Sequence, residues 1–161
     1  MSSKVFLRLF IIFFVGSAIF VSIWGWTVVQ RVRVTAERTD TQIRTLAWAS
    51  LSYAATHGVF PMSQADIEAF GPGPESIAIA PGKEDGWWPM TRAEALRQQP
   101  PADIPLSMKT ILIAFGTGPE MPPYFKPDGL PTKIGTNDEI NRWLESFGKR
   151  GKPAAESAVS P

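Results

Sequence analysis

His57 is the only histidine in the chain, and there is no cysteine. Several kinds of chemistry lose their usual parts at once. Thiolate nucleophiles, thiolate metal sites and disulfides need cysteine, and a first-row metal site has no histidine pair to draw on. A lone imidazole can serve as a general base, but a serine–histidine–aspartate set can be assembled around His57 only by arbitrary choice. Its place beside Gly58 fits a helix end, where the ring meets the last free carbonyls. Glu84-Asp85 could offer oxygen ligands to a hard cation, and Asp128-Gly129 with Asn137-Asp138 could do so for calcium. Turn acids are ordinarily solvated, however, and neither run has the periodic Asp/Asn pattern of a calcium loop. Glu84 and Glu120 are carboxylates of the kind used in glycoside hydrolysis, but nothing sets them face to face. Gly116-Thr-Gly118 lacks the remainder of a phosphate-binding glycine run. No catalytic, cofactor-binding or metal-binding residue emerges, and the chain is expected to be non-enzymatic and to need no cofactor.

Recognition by aromatic side chains is the remaining chemistry. Adjacent residues of a strand point to opposite faces, so Trp87-Trp88 predicts one indole inward and one outward, the latter an anchor for a partner or a sugar. The alternative is that both serve the core and its boundary. Trp88 and Tyr124 are the candidate contact residues of this region.

The elements that must carry these residues begin with an apolar run. Leu9 to Val29 reads LFIIFFVGSAIFVSIWGWTVV, twenty-one residues without a charge. As a helix it spans about 31 Å, the thickness of a hydrocarbon core. Lys4 and Arg8 flank one end, and Arg31 and Arg33 the other. Trp24 and Trp26 lie near the second boundary, where indoles favour the headgroup layer. A signal peptide has a shorter apolar core followed by small residues, and bulky residues stand here instead, so the run reads as an uncleaved anchor. Gly16 and Ser17 form a small patch without a full Gly-x-x-x-Gly pair. Lys4 and Arg8 favour a cytoplasmic N-terminus, whereas Arg31, Arg33, Arg38 and Arg44 oppose it by Lys/Arg count.

Charge is distributed unevenly. The net +1 divides into +4 through Arg44 and −3 beyond it. A basic excess beside an apolar run suits anionic headgroups, and the mildly acidic remainder argues against nucleic acid as a partner. The lipid bilayer and other membrane or envelope proteins are the expected partners.

Neither Pro nor Gly interrupts Trp26 to His57. Val32, Ala36, Thr39, Ile43, Leu46, Ala47, Ser50, Leu51 and Ala54 recur at helical spacing, while Arg33, Glu37, Arg38, Asp40 and Arg44 largely take the other faces and can pair among themselves. This predicts one helix from about Val5 to Thr56, ended by Gly58 and Pro61. Its stripe either seats the chain's own core or receives a partner, with Val32 and Ile43 as candidate contacts.

Farther on, Ser63 starts a short helix that Gly71 stops. Ser76–Ala80 reads as a short strand, Pro81–Asp85 as a turn and Trp87–Met90 as an edge strand. Thr91-Arg-Ala-Glu94 is a capping box for a helix to Gln99, and Pro100, Pro101 and Pro105 bar regular structure after it. Lys109–Phe115, KTILIAF, is the best strand candidate. Glu120–Gly135 reads as an ordered loop if Met121, Tyr124 and Phe125 pack inward. Thr136-Asn-Asp-Glu139 caps a last helix with Ile140, Trp143, Leu144 and Phe147 on one face and Gly148 at its end. The organisation is thus α+β, with a transmembrane anchor at 1–30, an amphipathic stalk helix at 31–57, a small α/β head at 58–148 and a disordered tail at 149–161.

Thr45 to Pro61, TLAWASLSYAATHGVFP, resembles the end of the stalk helix in type IV pilin-like proteins and the pseudopilins of type II secretion, where the helix leads through an aromatic into a Gly-x-aromatic-Pro turn. Leu51, Tyr53, Gly58, Phe60 and Pro61 carry the match over about seventeen residues. The resemblance implies an inner-membrane protein with a periplasmic C-terminal domain that anchors and positions that domain in a secretion- or pilus-like assembly. A membrane-tethered ligand- or peptide-binding domain is the alternative. The pilin processing motif ends in a glutamate of the mature N-terminus, and residues 1–29 contain no glutamate, so no processing site carries over.

Overall fold

The computed structural model describes residues 3–77 and 88–150. The expected turn at Pro81–Asp85, with Glu84 and Asp85, together with Trp87 and the tail from Gly151, lies outside these residues. The elements in chain order are α1 (Ser3–His57), α2 (Gln64–Phe70), α3 (Arg92–Ala95), α4 (Ile104–Met108), β1 (Ile111–Ala114), β2 (Tyr124–Pro127) and α5 (Thr136–Arg150). The fold is α+β, with a long apolar N-terminal helix and a small α/β head. The chain divides into two compact units, Met1–Thr35 and Ala36–Pro161.

In the second unit the end of α1 is the central pillar. All eleven residues from Gln42 to Ser52 are buried, about three turns of helix, so every face is covered rather than one stripe. Small side chains at Ala47, Ala49, Ser50 and Ser52 allow neighbouring backbone to close on all sides. Gly73 shows how closely. It has φ +72°, and a Cβ there would lie 2.9 Å from Ser52 Oγ. Trp48 Nε1 donates to Pro74 O at 3.1 Å, Ala102 N donates to Thr45 Oγ1 at 2.9 Å, and Thr110 Oγ1 donates to Gln42 Oε1 at 3.1 Å. Polar side chains of the pillar thus tie down loops that have few hydrogen bonds of their own.

The placement of charge departs from expectation. Asp40 and Arg44, assigned to the outer faces, are buried. Arg44 Nε reaches Asp40 Oδ2 at 3.2 Å, and its Nη2 reaches Glu139 Oε2 of α5 at 2.8 Å. Its Nη1 donates to Ala95 O at 3.3 Å, and the guanidinium carbon lies 5.3 Å from the Trp143 ring centroid. Thr136 Oγ1 donates to Asp40 Oδ1, and Arg97 shares Glu139 Oε2 at 2.8 Å.

These contacts explain why the last helix differs from its predicted capping box. Thr136 is the first helical residue, its hydroxyl engaged by Asp40, and Glu139 reaches the two arginines instead of folding back. Gly148 lies within α5, which continues through Lys149 to Arg150. A Cβ at Gly148 would stand 3.2 Å from Phe60 Cε2, so the glycine admits Phe60 rather than ending the helix. Ile140, Leu144 and Phe147 are buried, with Trp143 packed at the edge of the core.

The shorter elements follow local rules with some corrections. Ser63 and Asp66 form a reciprocal capping box, and Gly71 ends α2. The Ser63 hydroxyl, and the Met62 and Ser63 amides with it, hold the Asp66 carboxyl below its usual range against a smaller opposing effect of burial. Thr91 caps α3, but that helix stops at Ala95, and Arg97 (φ 51°) and Gln98 (φ 62°) turn left-handed before Gln99. Pro105 does not bar α4. It sits in the first turn, where a missing N–H costs nothing, behind the Asp103 cap. No edge strand forms at Trp88–Met90 among the described residues, and Ser76 pairs with Thr91 as an isolated bridge. The 120–135 stretch is not all loop. It holds β2, antiparallel to β1 with Ile113 opposite Phe125. Phe125 is fully buried, whereas Met121 and Tyr124 are about half exposed.

Two outcomes follow for the full chain in detergent. Arg44→Ala strands a buried Asp40 and lowers unfolding free energy by about 3–5 kcal/mol. Glu139→Ala costs about 1–2 kcal/mol, because Asp40 still neutralises Arg44 and Glu139 is partly solvated; tryptophan-monitored urea unfolding measures both. Asp66 has a depressed folded-state pKa, so its contribution is complete above the unfolded value near pH 4 and is lost as pH falls through the folded value. Ser63→Ala therefore costs about 1 kcal/mol at neutral pH, and the deficit narrows in acid unfolding curves below about pH 4.

Candidate membrane interface

In the first unit, α1 is a helix whose side chains are exposed at every described position from Phe6 to Trp24. A bare surface this apolar is unlike that of a soluble monomer. Among the described residues α1 is the one helix long and apolar enough to cross a membrane. Its backbone is satisfied within the helix, as hydrocarbon requires. Two of its hydroxyls are also paired internally: Ser22 Oγ donates to Ala18 O at 2.8 Å, and Thr27 Oγ1 to Trp24 O at 2.7 Å. The apolar run therefore hides polar groups that would otherwise face lipid unpaired.

At one end of the run Trp24 and Trp26 are exposed, at 62% and 66%. Arg31 and Arg33 follow within two turns and are exposed. Val32 is also open, at 50%, with Val34 beside it in sequence. Gly16 and Ser17 form a notch between Phe13 and Phe20.

The other predicted contact residues separate. Ile43 is completely buried in the head's core and is withdrawn as a partner contact, because the head encloses α1 at that level. Trp88 is likewise not an outward anchor. It is buried, and its ring stands edge-on to Phe147 with centroids 5.4 Å apart. The other indole of the pair, Trp87, lies outside the described residues. Tyr124, the other head candidate, is open, at 49%, with Asn137 Nδ2 3.5 Å from its hydroxyl.

His57 takes the helix-end role. Its Nδ1 lies 3.1 Å from Tyr53 O, its ring stacks on Tyr53 at 4.1 Å, and Phe70 meets both rings edge-on. Glu120 and Asp128 are exposed. Among the described residues no three His, Cys, Asp or Glu side chains gather as a metal site. The head has an open cleft of about 550 Å³, bordered by Glu75, Thr91, Arg92 and Gln98 together with apolar Leu96 and Pro101. Arg92 is held there by Gly73 O at 3.2 Å and Glu75 Oε1 at 3.5 Å. Its residues share no sequence spacing that would have announced it, and it forms where the turn before α3 meets the left-handed residues after it.

No family model, curated protein or solved structure matches this chain.

The interface has a direct test. Phe13→Arg makes insertion less favourable by about 2.5–3.5 kcal/mol and raises the fraction released by alkaline carbonate, whereas Tyr124→Arg leaves retention unchanged. Release of both variants to the same extent would remove the membrane assignment.

Proposed function

We propose that this chain is a non-enzymatic, single-pass membrane subunit that anchors and positions its head within a cell-envelope assembly. The observation that carries the proposal is the exposed, uncharged run from Leu9 to Val29, with Trp24, Trp26, Arg31 and Arg33 at its boundary. Burying that surface in lipid removes the largest apolar exposure on the molecule from water. Lipid is the first partner, and other membrane or envelope proteins are the second.

The secretion- or pilus-like character of the assembly, the inner-membrane location and the periplasmic head rest on the local resemblance. What supports it is the turn itself. Gly58 is left-handed at φ +76°, its amide closing on Ala54 O at 2.9 Å. Phe60 is then buried and meets Phe147 at 6.1 Å. The chain can therefore leave the helix and re-enter the core within three residues. The absent glutamate means that assembly runs through other contacts, and exposed Val32 is the candidate. The open cleft beside Arg92 and the exposed Tyr124 favour a second reading, a tethered domain that binds a ligand or peptide.

Mild detergent extraction separates the readings. A stoichiometric complex that Val32→Asp weakens at least tenfold is expected of the subunit, and a monomer that binds peptide or glycan would replace it with the second reading. Orientation has its own measurement, because the chain lacks native cysteine. Tyr124→Cys should react with an impermeant maleimide on intact spheroplasts, and labelling only after lysis would put the head in the cytoplasm.

A further inference from the structure

Arg31 is exposed, and the chain around it supplies no opposite charge. On a helix its neighbours stand three and four residues away, and these are Thr27, Val28, Val34 and Thr35. Among the described residues no ion pair reaches Arg31. Arg33 differs, with Glu37 four residues on and an interaction of its own. Glu37 is also the first acidic residue of the chain. Depth then decides what can neutralise Arg31. It follows Val29 by two residues, a rise of about 3 Å, and the headgroup layer is about 5–7 Å thick on each side of the hydrocarbon. A long side chain at that level reaches the lipid phosphates. Trp24 lies two turns earlier on the same face and is exposed. The threonines of this face turn back to their own helix: Thr27 Oγ1 donates to Trp24 O at 2.7 Å, and Thr35 Oγ1 to Arg31 O at 2.9 Å. The outward donors that remain are the guanidinium and, about 10 Å deeper, the indole N–H.

We propose that this face binds one anionic phospholipid, with its phosphodiester on Arg31 and an ester carbonyl within reach of the Trp24 indole. Guanidinium and phosphate match as a charge-assisted, bidentate pair. The absence of acid selects the headgroup. A zwitterionic lipid brings its own ammonium, which meets Arg31 and Arg33 and finds no carboxylate on residues 1–36. An anionic lipid has no such cation, and its phosphate is left to the arginine. The proposal rests on the membrane reading of α1 and names the class of lipid that reading leaves open.

The test uses the full chain in bilayers of equimolar phosphatidylglycerol and phosphatidylcholine with matched acyl chains. After extraction in mild detergent, native mass spectrometry counts the lipids that stay bound. The wild type should retain phosphatidylglycerol over phosphatidylcholine about fivefold, the preference expected of one arginine at a membrane surface. Arg31→Gln should bring that ratio to about one, whereas Arg33→Gln keeps most of it. Trp24→Phe, which removes the indole N–H, should lower the number of lipids retained. Excess inorganic phosphate at constant ionic strength should leave the lipid in place. Equal retention of the two lipids by the wild type, equal losses in Arg31→Gln and Arg33→Gln, or displacement by free phosphate would each overturn the proposal. If carbonate leaves the wild type and Arg31→Gln in the membrane alike, such a failure belongs to the lipid site alone. Release of the wild type by carbonate would remove the membrane reading, and this proposal with it.

Discussion

A guanidinium enclosed by protein must be neutralised and hydrogen-bonded where it sits, because neither water nor deprotonation can relieve it. Arg44 is in that position, and the head is built to meet the demand. Asp40 supplies a charge from one turn earlier on the same helix, Glu139 supplies another from α5, Ala95 supplies a carbonyl from the end of α3, and Trp143 supplies a ring face. Three segments far apart in sequence are required to converge on one side chain. Desolvation of the charges offsets much of the attraction within such a cluster. Thr136 extends the same logic by engaging the other oxygen of Asp40, and Arg97 by sharing the Glu139 oxygen that Arg44 uses.

Among the described residues the head has two short strands, too few to form a layer on which a helix could rest. Its core is instead organised around the α1 pillar, with α5 laid against it and the loops tied on by side-chain bonds from Gln42, Thr45 and Trp48. A pillar enclosed on all sides cannot also present those residues to a partner. Contacts with other proteins are left to surfaces outside the enclosure, among them Val32 and Tyr124.

Much of the local structure was legible in the sequence because its causes are local. The Ser63 cap, the Gly71 stop, the Gly58 turn and the apolar face of α5 each depend on residues within one or two turns of each other. The misreadings share a different cause. Pro105 has the residue type of a breaker, but at the first turn of a helix it is harmless. Gly148 looked like a stop, yet it accommodates Phe60, a residue far away in the chain. Thr136 and Glu139 had the spacing of a capping box, but Asp40, Arg44 and Arg97 outcompeted that local bond. Trp88 has the pattern of a strand residue, yet its ring is drawn into the core against Phe147, a residue far away in the chain.

By itself the sequence determined the apolar run, its length and its aromatic and basic boundary, because a hydrocarbon-length stretch without charge has few alternatives in water or in lipid. It also determined that a helix would run on to Gly58, since nothing between Trp26 and His57 breaks one. Only tertiary structure decided which face of that helix is inside. Around Arg44 the answer was every face, because whether a charged residue is solvated or enclosed depends on carboxylates and carbonyls that arrive from other parts of the chain. Periodicity within one segment contains no information about those arrivals.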